Sequence, residues 1–214
     1  MKFVRTVAFA LMATFSAAQA HAQVTSEPHP FVVGDTWVFM SKEFNKVTYY
    51  RDVVSSVAAD GVVMTRISTE NRTPRPIAYT VDGNEAATAD RSYPEILKFP
   101  MKAGEWTGKW ERKSRNETAQ YTTKSVGQMV MKVPAGEFSA WKLERNANSS
   151  RGGSSRQVYF WAPDVKARIQ REHKDGREQF TEELVGYAVT VNGVVKSNFV
   201  DVPGCDFCQA PPNK

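Results

Sequence analysis

Apolar and polar residues alternate with a period of two along most of the chain after residue 30. In the segments Val47–Arg51, Val63–Ile67 and Trp141–Arg145, β-branched or aromatic residues alternate with polar ones. This pattern is typical of strands that bury one face and expose the other to water. The sequence therefore predicts a mostly β domain.

One segment is ambiguous between helix and strand. In the stretch from Glu178 to Val189, Phe180, Leu184 and Tyr187 lie about a helical turn apart. Val185 and Val189 alternate with Tyr187 in the way a strand requires. We favour the strand.

Turn signals separate these segments at strand-length intervals. The proline-containing run Val133-Pro134-Ala135-Gly136-Glu137 predicts a turn whose flanking strands pair, because proline presets the first turn residue and glycine accepts a left-handed conformation. Four further dipeptides tolerate the positive φ angles of tight hairpins: Asp60-Gly61, Asp82-Gly83, Asp175-Gly176 and Asn192-Gly193. The spacing predicts an antiparallel meander, with the run from Asn148 to Ser155 as a hairpin tip or, alternatively, a lid.

The N-terminal residues predict export. Lys2 and Arg5 precede an apolar run and then Ala20-His21-Ala22, which is the pattern of a cleavable signal peptide and is too short to span a bilayer. We expect residues 1–22 to be this signal, 23–30 an extended arm, 31–200 a single β domain and 201–214 a tail. The mature protein should be periplasmic or secreted, soluble and without an integral membrane span.

Charge argues against nucleic acid as a partner. The whole chain has a formal net charge of +5, and two of its basic residues lie in the predicted signal. The remaining basic and acidic residues are interleaved along the strands, whereas nucleic-acid proteins concentrate a stronger basic excess on one surface.

The two cysteines, Cys205 and Cys208, lie in the tail. In an exported protein a disulfide between them is the default expectation. A redox site would need a helix beginning at the first cysteine, and Pro211-Pro212 follow too closely for a helix to continue. Redox activity, metal binding and pairing between molecules are the alternatives.

The sequence offers little catalytic chemistry. Only His29 and His173 follow the predicted signal, and neither belongs to a metal or triad motif. The acidic pairs Glu182-Glu183 and Asp52 with Asp60 are interpreted as solvated surface charge. We therefore expect no enzymatic activity, no catalytic residue, no metal and no cofactor.

Aromatic residues provide the remaining candidate site. The chain contains five tryptophans: Trp37, Trp106, Trp110, Trp141 and Trp161. They could simply fill the core. Alternatively, they line an apolar groove on a curved antiparallel sheet, where indole rings bind acyl chains or hydrophobic peptides.

Three motifs carry a resemblance to a known group of proteins. They are Lys98–Trp106 (KFPMKAGEW), Met131–Phe138 (MKVPAGEF) and Val158–Val165 (VYFWAPDV). Together they resemble the TapB-like group of bacterial exported proteins of unknown function, over roughly residues 31 to 190. The resemblance implies an antiparallel meander in a curved sheet like a half-open barrel, and it supplies no catalytic residue.

These observations lead to two functional hypotheses. The first is a non-enzymatic periplasmic protein that binds a hydrophobic ligand, either a lipid or a segment of an envelope protein, through its five tryptophans. The alternative is a structural or assembly module without a small-molecule ligand, which contacts another envelope protein through an edge strand or the loop from Ser149 to Ser155.

Overall fold

The computed structural model describes residues 27–210. The predicted signal peptide lies outside the described residues, and so do the first part of the arm and the end of the tail. No helix in the described part has the length and apolar content needed to cross a bilayer. There are two short 3-10 helices, Lys113–Arg115 and Pro163–Val165, and the strands are β1 Thr36–Glu43, β2 Lys46–Ala58, β3 Gly61–Ser68, β4 Arg75–Tyr79, β5 Gly104–Arg112, β6 Glu117–Val133, β7 Gly136–Ser149, β8 Ser154–Ala162, β9 Ala167–Asp175, β10 Gln179–Val191 and β11 Val194–Phe199.

All eleven strands belong to one antiparallel sheet. Its strand order is β4-β3-β2-β1-β10-β9-β8-β7-β6-β5, and β11 also pairs with β10. Two meanders, β1 to β4 and β5 to β10, thus join where β1 lies beside β10. The predicted fold class, a mostly β antiparallel meander that does not close into a barrel, is confirmed.

The two edges of the sheet, β4 and β5, approach each other without pairing. Residues 80–103, which we call the covering segment, connect these edges and form an isolated bridge with each: Glu85 with Tyr79 of β4, and Arg91 with Arg112 of β5. Glu85 and Arg91 are six positions apart, and six residues of extended chain reach at most about 20 Å. The sheet is therefore strongly curved, and the covering segment crosses its open side.

Most of the predicted turns lie between paired strands. Asn192 and Gly193, with φ angles of 52° and 76°, form the tight turn between β10 and β11. Pro134 and Ala135 connect β6 to β7.

The dipeptide Asp82-Gly83 also lies in a turn, but one within the covering segment. It reverses the chain between Tyr79 of β4 and Glu85, which form an isolated antiparallel bridge. Gly83 has a φ of +80°, and a Cβ there would lie 3.3 Å from both Phe31 and Trp161. The turn and the close packing therefore both favour glycine at this position.

The segment that was ambiguous in the sequence is a strand. It forms most of β10, which pairs with β1 on one side and with β9 and then β11 on the other. Because β10 lies in the middle of the sheet, apolar residues are buried on both of its faces, as Leu184 and Val185 show. Burial on both faces explains why its sequence does not alternate cleanly.

Two hydrophobic clusters lie on opposite faces of the sheet. The larger cluster contains Trp37 and lies on the concave face, whereas Val38, its neighbour in β1, belongs to a smaller cluster with Val185. The tail covers this second cluster with Phe207 and with the disulfide between Cys205 and Cys208. The predicted cysteine pair therefore closes a short buried loop on the outer face.

Candidate binding cavity

A cavity of about 990 Å³ lies between the concave face of the sheet and the covering segment. Tyr159 and Trp161 of β8 line it from the sheet, and Ile96 and Leu97 line it from the covering segment. Many ligand pockets have volumes of roughly 300 to 1,000 Å³. The cavity is therefore large enough for a small organic molecule.

Side-chain hydrogen bonds hold the covering segment in place. Asn84 accepts from the amides of Ile96 and Leu97, both at 2.8 Å, and donates to the Leu97 carbonyl at 2.8 Å. The hydroxyl of Tyr121 in β6 accepts from the Glu95 amide at 3.0 Å. These contacts fix the covering segment to itself and to the sheet, so the cavity has a defined wall on its open side.

Strand register places one row of side chains across the concave face. Directly opposed residues on neighbouring antiparallel strands project from the same face. The register aligns Thr123 with Arg145, Arg145 with Gln157, Gln157 with His173, and His173 with Phe180. Polar groups thus occupy the middle of a face that the sequence predicts to be apolar.

A β-bulge brings two further arginines to the same face. The register between β8 and β9 shifts so that Trp161 opposes Arg168 while Phe160 opposes Gln170. The bulge allows both Arg168 and Arg171 to point inward, although strict alternation would place them on opposite faces.

Both arginines bind Glu182 of β10. Its Oε2 accepts from Arg168 at 2.8 Å and from Arg171 at 3.3 Å, and its Oε1 accepts from the Tyr50 hydroxyl at 3.0 Å. Burial disfavours the charged carboxylate, but the two arginines and the tyrosine outweigh burial and lower the pKa of Glu182. Glu182 is therefore an ionised counter-charge for two cations.

Arginine dominates the charge of the cavity wall. Five carboxylates line the cavity: Glu85, Glu117, Asp175, Glu178 and Glu182. Nine arginines line it: Arg66, Arg91, Arg112, Arg115, Arg145, Arg151, Arg168, Arg171 and Arg177. The cavity is therefore cationic as well as aromatic.

Three hairpin tips surround the opening of the cavity. These tips, residues 113–116, 150–153 and 176–178, follow β5, β7 and β9 and so lie at the same end of the meander. Each contributes one arginine to the cavity wall, namely Arg115, Arg151 and Arg177. The run from Asn148 to Ser155 is thus a hairpin tip, as predicted, and it lies at the cavity opening.

Arg145 of β7 lies deepest among the cationic groups that have no carboxylate partner. Its side chain is only 7% exposed, and its Nε is buried without a hydrogen-bond partner among the described residues. Its guanidinium carbon lies 5.8 Å from the centre of the Tyr159 ring. Burial lowers the pKa of Arg145, and the nearby charges of Arg171 and Arg91 lower it further.

His173 occupies the next part of the same row. The Gln157 amide nitrogen lies 2.6 Å from His173 Nδ1, and His173 Nε2 lies 3.4 Å from Asp175 Oδ2.

His173, Asp175 and Glu178 each offer one atom that could bind a metal ion, and these atoms lie within 4.8 Å of one another. Asp175 also accepts from the amides of Arg177 and Glu178, both at 2.7 Å, so hydrogen bonds within the hairpin tip account for this grouping. That the protein binds no metal stays a prediction.

The environment of His173 leads to a pH-dependent prediction. Burial and the charge of Arg171 lower the pKa of His173 below its ordinary value of 6.5, despite the opposing effect of Asp175. Folding therefore favours the neutral ring, and stability should decrease as pH falls from about 6.5 towards the folded-state pKa. NMR titration of the His173 ring should give a midpoint below 6.5, and a midpoint at or above this value would contradict the structural explanation.

The five predicted tryptophans are distributed over different environments. Trp110 and Trp161 line the cavity. Trp37 and Trp141 are each 2% exposed and belong to the core, where the Trp37 indole donates to the Val165 carbonyl at 2.7 Å. Trp106 is half-buried and donates to the Glu95 carbonyl at 3.0 Å. The structure thus brings two of the five to the candidate site, and their role in binding stays a prediction.

Sequence reasoning did not select the arginines. Alternation already placed Arg145 on the same face as Trp141 and Leu143, so a charged residue in an apolar register was the available signal. Arg168 and Arg171 carried no such signal, because the bulge between them cannot be read from the sequence.

Together, the fold and the cavity define a class of β protein: an open antiparallel meander that encloses a cationic, aromatic cavity on its concave face. The chain matches no protein-family model and no curated protein.

The chain is similar to several solved structures at low sequence identity. A protein from Bacteroides fragilis, described as exported with a YmcC-like fold, is 14% identical, with a TM-score of 0.48 over 80% of this chain and 99% of its own. A protein described as a lipoprotein from Parabacteroides distasonis is 13% identical, with a TM-score of 0.48 over 80% of this chain and 100% of its own. The hypothetical lipoprotein YmcC from Escherichia coli is 9% identical, with a TM-score of 0.43 over 71% of this chain and 84% of its own.

The location of this chain outside the cytoplasm stays a prediction. Membership of the TapB-like group in particular stays a prediction, as does cleavage near Ala22.

Proposed function

We propose that this protein is an exported, non-enzymatic binding protein that holds an amphipathic small molecule in its concave cavity. The observation that carries the proposal is the cavity itself, with its volume of about 990 Å³ and its wall of both aromatic and charged side chains. The hydrophobic ligand expected from the sequence therefore needs a polar part as well.

The apolar part of the ligand would contact one side of the wall. Ile96, Leu97 and Trp161 lie together at the cavity wall, and Trp110 lines it from β5. Burial of an acyl or aromatic group against such side chains contributes about 25 cal/mol per Å² of apolar surface removed from water. An apolar chain alone would leave the charged part of the wall unpaired, which favours an amphipathic ligand.

Native mass spectrometry should detect such a ligand. Mature protein purified from its native envelope without detergent is expected to carry a stoichiometric small molecule that solvent extraction releases. Replacing Trp110 with alanine should lower ligand occupancy, because this indole lines the cavity.

The Tyr49→Ala variant is the matched control. Tyr49 is also a half-buried aromatic residue, but it packs against the cluster on the opposite face of the sheet and does not line the cavity. Occupancy should stay close to that of the unmodified protein. If the purified protein is free of extractable ligand, binding of a tightly held molecule is refuted and the protein-contact alternative is favoured.

A further inference from the structure

We infer that the cavity contains a subsite for an anionic oxygen group, a carboxylate or a phosphate, centred on Arg145. This inference rests on the proposed function, since it specifies the polar part of the ligand. It predicts that an anionic amphiphile binds and that a neutral amphiphile of equal chain length binds more weakly.

Arg145 is a buried cation without a counter-charge among the described residues. Within residues 27–210, no carboxylate lies within 4.0 Å of its guanidinium nitrogens, and it makes no hydrogen bond. Buried charges are ordinarily paired, because removing an ion from water without compensation is costly. The guanidinium of Arg145, which is 7% exposed and borders the cavity, can therefore pair with an anion that enters from solution.

Three of the five carboxylates that line the cavity are already engaged elsewhere. Glu182 binds Arg168 and Arg171. Asp175 accepts from two backbone amides of its own turn, and Glu117 accepts from the Ser149 hydroxyl at 2.8 Å. None of these three groups neutralises Arg145, so a ligand can supply the missing charge.

A second unpaired arginine lies in the covering segment. Arg91 stacks 4.7 Å from the Tyr93 ring centre and 5.4 Å from the Trp110 ring centre, and its Nε is buried without a partner. Arg91 is close enough to Arg145 to influence its titration. An anion between the sheet and the covering segment would relieve the repulsion between these two cations.

The opening of the cavity carries basic residues, whose charge is opposite to that of an anionic ligand. Arg115, Arg151 and Arg177 line the cavity from the three hairpin tips, and none has a carboxylate within 4.0 Å in the described part of the chain. The three tips contain four basic residues, Lys113 being the fourth, and one acidic residue, Glu178. Clefts in which one sign of charge predominates attract ligands of the opposite sign. Binding should therefore weaken as the salt concentration rises.

Isothermal titration calorimetry of the mature protein tests this inference with three probes: inorganic phosphate, octyl phosphate and octyl glucoside, the last two below their micelle concentrations. Octyl phosphate should bind at least about tenfold more tightly than octyl glucoside, which corresponds to one charge-assisted contact. The Arg145→Met variant should abolish this difference.

The Arg156→Met variant is the matched control. Arg156 precedes Gln157 in β8, is exposed, and does not line the cavity. It should retain the preference for octyl phosphate. Because Arg145 makes no ion pair or hydrogen bond within residues 27–210, Arg145→Met should leave the apo protein at least as stable to urea as the unmodified protein, which separates lost binding from lost folding.

The calorimetry tests the anionic subsite and the amphipathic ligand separately. Equal affinity for octyl phosphate and octyl glucoside in the unmodified protein would overturn the anionic subsite and support amphiphile binding alone. Tight binding of inorganic phosphate that the octyl chain does not improve, and that Arg145→Met removes, would support the subsite for a free anion and overturn the amphipathic ligand. Failure of all three probes to bind would overturn both.

Discussion

Replacing Lys166 with methionine is expected to lower the free energy of unfolding by about 3 to 5 kcal/mol, the largest effect we predict for a single substitution. Lys166 and Asp35 form an ion pair whose side chains are each 1% exposed. The Lys166 ammonium also donates to the carbonyls of Pro30 at 2.9 Å and Thr190 at 2.8 Å. Removing this cation takes the counter-charge from Asp35, which is 2% exposed, and one hydrogen bond from each of the two carbonyls.

The ion pair connects three distant parts of the chain. Asp35 accepts from the amides of Val32 and Thr190, both at 2.8 Å, so the start of β1 is held to the end of β10. The Trp37 indole donates to Val165, which precedes Lys166. Urea denaturation can be followed by the fluorescence of the five tryptophans, one of which, Trp37, lies beside the ion pair.

A weak surface pair provides the control. Lys196 lies 3.7 Å from Asp164, and their side chains are 42% and 64% exposed. Lys196→Met should change stability by less than about 0.5 kcal/mol. A loss of under about 1 kcal/mol in Lys166→Met would show that the buried pair does not have the assigned role. The double variant Lys166→Met with Asp35→Asn should recover part of the loss, because it leaves no unpaired charge.

Replacing Glu182 with glutamine is expected to have the second largest effect, a loss of about 2 to 3 kcal/mol near neutral pH. The change keeps the shape and a hydrogen bond to Tyr50 but removes the counter-charge of Arg168 and Arg171. These arginine side chains are 26% and 23% exposed, so water compensates them in part and the cost is smaller than at Lys166.

The neighbouring residue is a close control for this variant. Glu183 lies 3.8 Å from Lys42, whose side chain is 48% exposed. Glu183→Gln should alter stability by less than about 0.5 kcal/mol. Equal losses in the two variants would contradict the role assigned to Glu182.

The contribution of Glu182 to the free energy of unfolding should also depend on pH. Its pKa in the folded protein is lowered from the ordinary value of 4.5, so its stabilising effect is fully present above about pH 4.5 and is lost as pH falls through the folded-state pKa. The difference in unfolding free energy between the unmodified protein and Glu182→Gln should therefore shrink at acidic pH. A difference that stays constant down to about pH 3 would contradict this interpretation.

The sequence predicted correctly those features, strands and tight turns, that depend on residues close together in the chain. Alternation identified segments of β2, β3, β7 and β10, and Asn192-Gly193 and the proline turn at Pro134 marked hairpins, because turn geometry depends on the residues that form it. Asp82-Gly83 also forms a turn. Its glycine packs in addition against Phe31 and Trp161, which lie far away in the sequence, and the local signal does not predict this contact.

The sequence by itself determined the fold class and the hairpin turns, because these follow from residue type and period. Only the tertiary structure decided that β1 lies beside β10, that a bulge directs Arg168 and Arg171 to one face, and that Lys166 meets Asp35 across 131 positions of chain. It also decided that Arg145 lies beside a cavity without an ion-pair partner in the described residues. The charged groups around Arg145 come from several strands, and pairing between distant parts of the chain sets the register of those strands.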